Sequence, residues 1–251
     1  MQNEIKILGV PDFPIIEVDD DLPQIIIDKI QESEIALENN DIIVVTQRIC
    51  SIAEGQIKNL NTYEPSDFAV EWAEKYSKDA RLIEAVLQES KNIIRKENGI
   101  LITETKHGFI CANSGIDNSN VKGDENICLL PKNPDLSCKT IKDKIKKQLD
   151  KNVSVIMTDT FGRPWRMGQT NIAIGIAGMN PFQNYVGKKD IFNKTLKHTM
   201  ICIADEIASA AELIMGKTNM IPVAIVKGYK YDKNNDSINN IIREKDFDLF
   251  R

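Results

Sequence analysis

The sequence holds only two histidines, His107 and His198. A zinc site made from three histidines of one chain is therefore impossible, and a Ser-His-Asp triad has little to draw on. Cysteine is sparse as well. Cys50, Cys111, Cys128, Cys138 and Cys202 are scattered, odd in number and form no CxxC pair. That pattern points to a reducing cytoplasm and away from zinc or iron–sulfur ligation, so any metal is expected to be a hard ion held by oxygen. Basic runs are missing, and Lys plus Arg total 32 against 37 for Asp plus Glu, a formal net charge of -5. Such a chain lacks the electrostatic footprint for sequence-independent nucleic-acid binding. No stretch approaches the ~18 apolar residues of a membrane span. Met1–Lys6 carries Glu4 and lacks the charged-then-apolar order of a signal peptide.

What is present is an ordinary globular composition over 251 residues, 42% hydrophobic and 27% charged. That length suits one large domain or two small ones with a shared core, and the composition excludes bulk disorder. Short β-branched runs predict strands at Asp41–Arg48, Gly99–Glu104, Phe109–Ala112, Val153–Thr158, Ile172–Ala177 and Pro222–Val226. A helix is predicted to start near Pro23, with Ile26, Ile27 and Ile30 on one face. Further helical faces run through Phe68, Trp72, Ala73 and Tyr76, through Leu82, Val86 and Ile93, and through Ile141, Ile145 and Leu149. The stripe Ile203, Ile207, Ala211 and Ile214 ends at Gly216, a C-cap. Residues 118–134 read as a long loop, and the tail from Tyr229 as a polar surface segment. Strands and helices mix without regular βαβ alternation. The expected class is α+β, with mixed or antiparallel sheets and packed helices, neither Rossmann nor P-loop.

Three segments can carry chemistry. Thr158-Asp159-Thr160-Phe161-Gly162-Arg163-Pro164-Trp165-Arg166 follows an apolar strand. Asp159 and Thr160 are hard oxygen donors suited to magnesium or manganese, and Arg163 and Arg166 are planar forks for carboxylate or phosphate. A turn capped by Asp159 with arginines in surface pairs fits the same residues. Cys111–Asn120 also follows a strand and is crowded with Asn, Ser, Gly and Asp, which are turn formers as well as ligands. There, Asp117 can share a metal with Asp159, and Asn120 can bond a phosphate or a base. Met215-Gly216-Lys217-Thr218 resembles the end of a P-loop, but position 211 is alanine and the preceding residues read as helix. A Gly-Lys-Thr turn can still touch phosphate, or simply end a helix. Asp205 and Glu206 are supporting carboxylates or a solvated helix face.

In this order, five segments resemble the F420-0:gamma-glutamyl ligase family: 44–56 (VVTQRICSIAEGQ), 112–121 (ANSGIDNSNV), 158–178, 204–217 and 221–228 (IPVAIVKG). The resemblance runs over nearly the whole chain, which is expected to form one ligase-like unit over 1–251, with a division into two subdomains left open. It implies an unusual α+β fold, a cytoplasmic homodimer, and L-glutamate and F420-0 as substrates. It also implies GTP as phosphoryl donor, with Mg2+ or Mn2+, and K+ as a further candidate ion. The implied metal ligands fall on Asp117, Asp159 and Thr160. The implied nucleotide contacts fall on Pro11, Asp12, Phe13 and Pro14, on Gln47 and Arg48, on Asn120, and on Met215, Gly216, Lys217 and Thr218. Arg163 and Arg166 are expected to hold the incoming glutamate or the acceptor's phosphodiester. Two positions depart from the archaeal pattern: Ile52 stands where a lysine is usual, and Lys217 where a metal-binding glutamate follows Met-Gly. The flavin-reductase-like domain that follows this unit in bacterial relatives is not expected. A metal-dependent phosphohydrolase and a weakly active nucleotide-binding homologue stay open as alternatives.

Overall fold

The computed structural model describes residues 4–118, 121–234 and 236–250. The chain starts with β1 (Lys6–Val10) and α1 (Leu22–Glu32). Asp21 caps α1 by accepting from the Gln24 N–H, and Pro23 lies in the first turn. β2 (Ile42–Thr46) passes directly into α2 (Gln47–Ala53), so Gln47 and Arg48 open a helix rather than close the predicted strand. There follow β3 (Ile57–Asn59), α3 (Asp67–Tyr76) and α4 (Ala80–Gln88). α4 stops short of Ile93, which was expected on its face and lies instead in β4 (Ser90–Glu97). The reason is a hairpin: Asn98 and Gly99 both take positive φ and turn β4 back onto β5 (Ile100–Thr105). Ile93 therefore obeys strand pairing, not helical spacing.

β6 (Ile110–Ala112) completes that small sheet, in the order β4-β5-β6. Within the span predicted as loop, β7 (Asn126–Cys128) pairs antiparallel with β3. α5 (Pro134–Leu149) is capped by Asn133, which accepts from the Leu136 N–H. β8 (Ser154–Arg163) and β9 (Arg166–Ala177) form a long hairpin, then come β10 (Phe182–Asn184), β11 (Met200–Cys202), α6 (Ile203–Met215) and β12 (Val223–Lys227). Most of Thr158–Arg166 is thus strand and hairpin tip, because β8 continues past the predicted strand end at Thr158.

The main sheet has the order β1-β12-β2-β8-β9. Only β2 and β8 are parallel; the other neighbours are antiparallel. This is the α+β class expected. β2 is apolar without alternation because Ile42, Ile43, Val44 and Val45 are all fully buried. α5 and α6 both pack on β9, and α6 also reaches β1 and β12. The outer edge of β9 is not left open: Asp205 in α6 accepts from the Ala173 N–H, and Asp135 in α5 from the Ile176 N–H. Asp205 is therefore a backbone cap, whereas Glu206 is exposed.

A second core lies apart from this sheet. Ala69, Trp72, Ile83, Val86 and Leu101 pack together from α3, α4 and β5. The tail from Tyr229 is not the polar surface segment its composition suggested. Ile238 is buried, and Tyr229, Tyr231, Ile241 and Ile242 pack on the main core. Among the described residues no helix is long and apolar enough to cross a membrane.

Candidate active site

The sheet order brings distant segments to one end. The pairing Thr46↔Thr158 sets Gln47 and Arg48 beside Asp159 and Thr160, at the carboxyl ends of the parallel strands. β1 ends at Val10, opposite Val223, so Pro11–Pro14 leave from the same end and residues 216–222 arrive there. The second core contributes the turn Asn113–Gly115 and Asp117. Between them opens a cleft of about 680 Å³, whose walls include Phe13, Gln47, Arg48, Ile52, Asn113, Asp117, Asp159, Thr160, Asn171 and Lys217.

Local chemistry explains how the walls are held. Asn113, Ser114 and Gly115 all take positive φ, a run that few residues adopt without support. The support is the buried Ser114 hydroxyl, 2.7 Å from Ser90 Oγ and 2.8 Å from Thr103 Oγ1, which in turn accepts from the Ser114 N–H. This locked turn carries Asp117, whose backbone pairs with Cys128 and whose carboxylate forms an ion pair with Arg48. The segment is therefore a turn that also carries a carboxylate to the cleft wall. On β9, a bulge opposite Met157 and Thr158 shifts the register just before Asp159. Bulges of this kind re-aim side chains beside active sites.

Burial pushes the Asp159 carboxyl up to about 6, against the backbone hydrogen bond of Thr160 and the nearby Lys217 and Arg48 cations, while Asp117 raises it further. Thr160 donates to Asn171 Oδ1 at 2.6 Å and accepts from the Lys217 ammonium. Asn171 Nδ2 donates to Glu212 Oε2 at 2.8 Å, and Glu212 lies 3.6 Å from Lys217. Asn171 and Glu212 escaped the sequence reading. The only hint of Asn171 was an amide at the start of an apolar strand, and Glu212 looked like any polar residue between the apolar positions of its helix. Gly216 starts the lysine turn with φ +57, and an added Cβ there would come within 2.6 Å of Asn219.

Among the described residues no three His, Cys, Asp or Glu side chains gather as a ready metal cage. Two carboxylates and a hydroxyl do converge. That donor set fits magnesium or manganese, which take one or two carboxylates and complete their shell with water and phosphate oxygens.

The family profile described as F420-0:Gamma-glutamyl ligase matches residues 11–228. The chain belongs to that family. It is 37% identical over 251 residues to a Methanothermobacter thermautotrophicus protein named coenzyme F420:L-glutamate ligase, covering 98% of this chain and 99% of the relative. Proteins of the same name from Methanocaldococcus jannaschii and Methanosarcina mazei are similar. The first is 42% identical over 86% of each chain, the second 38% identical over 99% of this chain and 96% of the relative.

Against the positions suggested by family resemblance, Asp117, Asp159 and Thr160 all line the cleft, as do Phe13, Pro14, Gln47, Arg48, Gly216 and Lys217. Pro11, Asp12 and Thr218 are exposed and stand outside its walls, and Met215 is buried in the core. Arg163 and Arg166 face each other near the exposed hairpin tip at Pro164–Trp165, and neither lines the cleft. Asn120 lies outside the described residues. Ile52, the position where the resemblance led us to expect a lysine, lines the cleft.

Proposed function

We propose that this chain adds L-glutamate to coenzyme F420-0, with GTP activating the acceptor's terminal carboxylate. The reading is supported by relatives that carry the ligase name over nearly their full length. The observation that carries its chemistry is the convergence of Asp117, Asp159, Thr160, Arg48 and Lys217 on one cleft.

A carboxylate is a poor electrophile. Transfer of the γ-phosphoryl group of GTP to a carboxylate oxygen gives an acyl phosphate and GDP. The neutral amine of glutamate then attacks the acyl carbon, and phosphate leaves as the amide forms. A magnesium or manganese ion on Asp117, Asp159 and Thr160 would neutralise the charge gathering on the phosphates. Arg48 and Lys217 offer their cations to phosphate oxygens as well. Asn171 and Glu212 fix the Thr160 hydroxyl and the Lys217 ammonium, so both are positioning residues.

The test is mass spectrometry after incubating the protein with F420-0, GTP, magnesium or manganese, and glutamate. A glutamylated acceptor is expected, with GDP and phosphate formed in step with it. GTP turnover with no change in the acceptor would favour a phosphohydrolase. ATP at equal concentration is expected to work at least about tenfold more slowly, because a pocket that bonds guanine edges leaves polar groups unpaired against adenine. Equal rates would remove GTP from the proposal.

Ile52 gives a further expectation. A lysine at this wall would make a charge-assisted contact worth ~1.5–3 kcal/mol. Ile52→Lys should therefore lower the KM for GTP by roughly tenfold or more, with little change in kcat. Coincident saturation curves for the two proteins would place Ile52 away from the phosphates.

A further inference from the structure

A second hollow adjoins the cleft and is not used by the chemistry above. Phe109 and Phe161 form one wall, edge to face with centroids 6.3 Å apart. Ile241 and Ile242, from the C-terminal segment, form another. The hollow has a volume of about 200 Å³, less than a site for a whole drug-sized ligand needs, so it takes one end of a longer molecule. The C-terminal wall is tied down rather than loose. Asp135 accepts from Ser237 Oγ at 2.7 Å and from the Ile238 N–H at 3.0 Å, and Ile238 is buried.

The hollow and the cleft lie side by side along two strand segments. Phe161 and Asp159 are alternate residues of β8 and share a face, and Phe109 immediately precedes β6, two residues before Cys111. Phe109 and Phe161 line the hollow, Cys111 and Asp159 line the cleft, and Phe161 borders both. Two strand residues span roughly 7 Å. A ligand reaching from one space to the other needs only a linker of several single bonds.

We infer that the hollow holds the ring end of the acceptor, a planar fused heteroaromatic system bearing a polyol chain, while the acceptor's carboxylate end lies at Asp159. The inference rests on the ligase reading and deepens it. Aromatic walls present faces and edges to a flat ring, which stacks on them. The polar groups of the hollow are Asp205, Arg243 and Asp248. Asp205 uses one oxygen on the Ala173 N–H, and its remaining acceptor capacity suits the hydroxyls of a polyol. Arg243 matches a phosphodiester along the linker. A polar activating cleft with an apolar, aromatic annex fits an acceptor that is flat and apolar at one end and anionic at the other.

The experiment is a fluorescence titration of the full chain with the ring-and-polyol fragment, which lacks the phosphodiester and the acidic tail. Saturable binding is expected without nucleotide or metal. Ile241→Asp should weaken it at least about tenfold. So should Ile110→Trp, which fills the rim from an exposed position and keeps the test valid if the Asp variant fails to fold. GTP binding should be unchanged in Ile110→Trp. If the wild type glutamylates the whole acceptor but does not bind the fragment, or Ile110→Trp binds it as well as wild type, the inference is overturned. If the whole acceptor is not glutamylated yet the fragment binds and Ile110→Trp weakens it, the ligase reading fails alone and the ring site stands.

Discussion

Asp159→Asn is expected to abolish ligation and, at neutral pH, to make the ligand-free protein harder to unfold. The activity half follows from charge. Asparagine keeps the shape and an acceptor oxygen for the Thr160 N–H, but removes the negative charge that binds a divalent ion. Losing several kcal/mol of transition-state stabilisation corresponds to roughly a thousandfold or more in kcat. The stability half follows from burial, which raises the Asp159 pKa from 3.8 to about 6. A carboxyl whose pKa is higher in the folded than in the unfolded chain contributes its full stability below the unfolded value. That contribution is lost as pH rises through the folded value. At pH 7 the wild type is therefore destabilised by on the order of 2 kcal/mol, allowing for partial solvent screening. The asparagine variant does not titrate and should gain that amount. The gain should grow between about pH 4 and 6 and level off above. Urea unfolding of both proteins across that range, without metal, reads it directly. Saturating magnesium or manganese should stabilise the wild type but not the variant. Near-normal turnover in the variant would end the metal assignment, and a lower stability than wild type at pH 7 would mean that burial is not what shifts Asp159.

The largest loss of stability is expected at Lys227, far from the chemistry in function although on the strand next to β2. Its ammonium donates to Asp41 Oδ2 at 2.6 Å and to the Ala36 carbonyl at 2.9 Å, and lies 3.2 Å from Glu38. Desolvation lowers the Lys227 pKa, but hydrogen bonds to Asp41 and Glu38 more than reverse this and leave it raised. Asp41 itself is only 3% exposed. Lys227→Met keeps the apolar stem and leaves a buried carboxylate without its cation. Breaking such a pair from one side costs ~3 kcal/mol or more, a large share of a typical domain's ~5–15 kcal/mol. The urea midpoint should fall accordingly. The double variant Asp41→Asn with Lys227→Met should recover most of the loss, since no lone charge is then buried. A single variant within about 1 kcal/mol of wild type would show that the pair is solvated like a surface bridge.

Much of the frame was legible from local pattern. The buried strand at Ile42–Val45, the α6 stripe through Ile203, Ile207 and Ala211 (though not the exposed Ile214) and its stop at Gly216 were predictable because burial on one or both faces writes a period into the sequence. Where two patterns competed, the reading failed. Ile93 fits a helical spacing, yet Asn98-Gly99 is a stronger hairpin signal. β7 and the buried C-terminal residues gave weak signals: β7 is three residues long, and Ile238, Ile241 and Ile242 sit in a polar tail. Their burial depends on surfaces supplied by distant elements.

The sequence by itself determined the family and the α+β class, because those reside in residue type and order. Asp117 and Asp159 could be named as candidate ligands from the motifs that carry the family resemblance. That they line one cleft with Arg48 and Lys217 was decided by the sheet order, in which β2 and β8 run parallel and β12 enters from the same end. The tertiary structure also separated Arg163 and Arg166 from the cleft, although they are close to Asp159 in sequence. It joined Asn171 and Glu212, 41 residues apart, through a direct hydrogen bond. The physical reason is that electrostatic and hydrogen-bonding chemistry acts through distances of a few ångströms. The chain sets those distances only after strand register, bulges and packing have been fixed together.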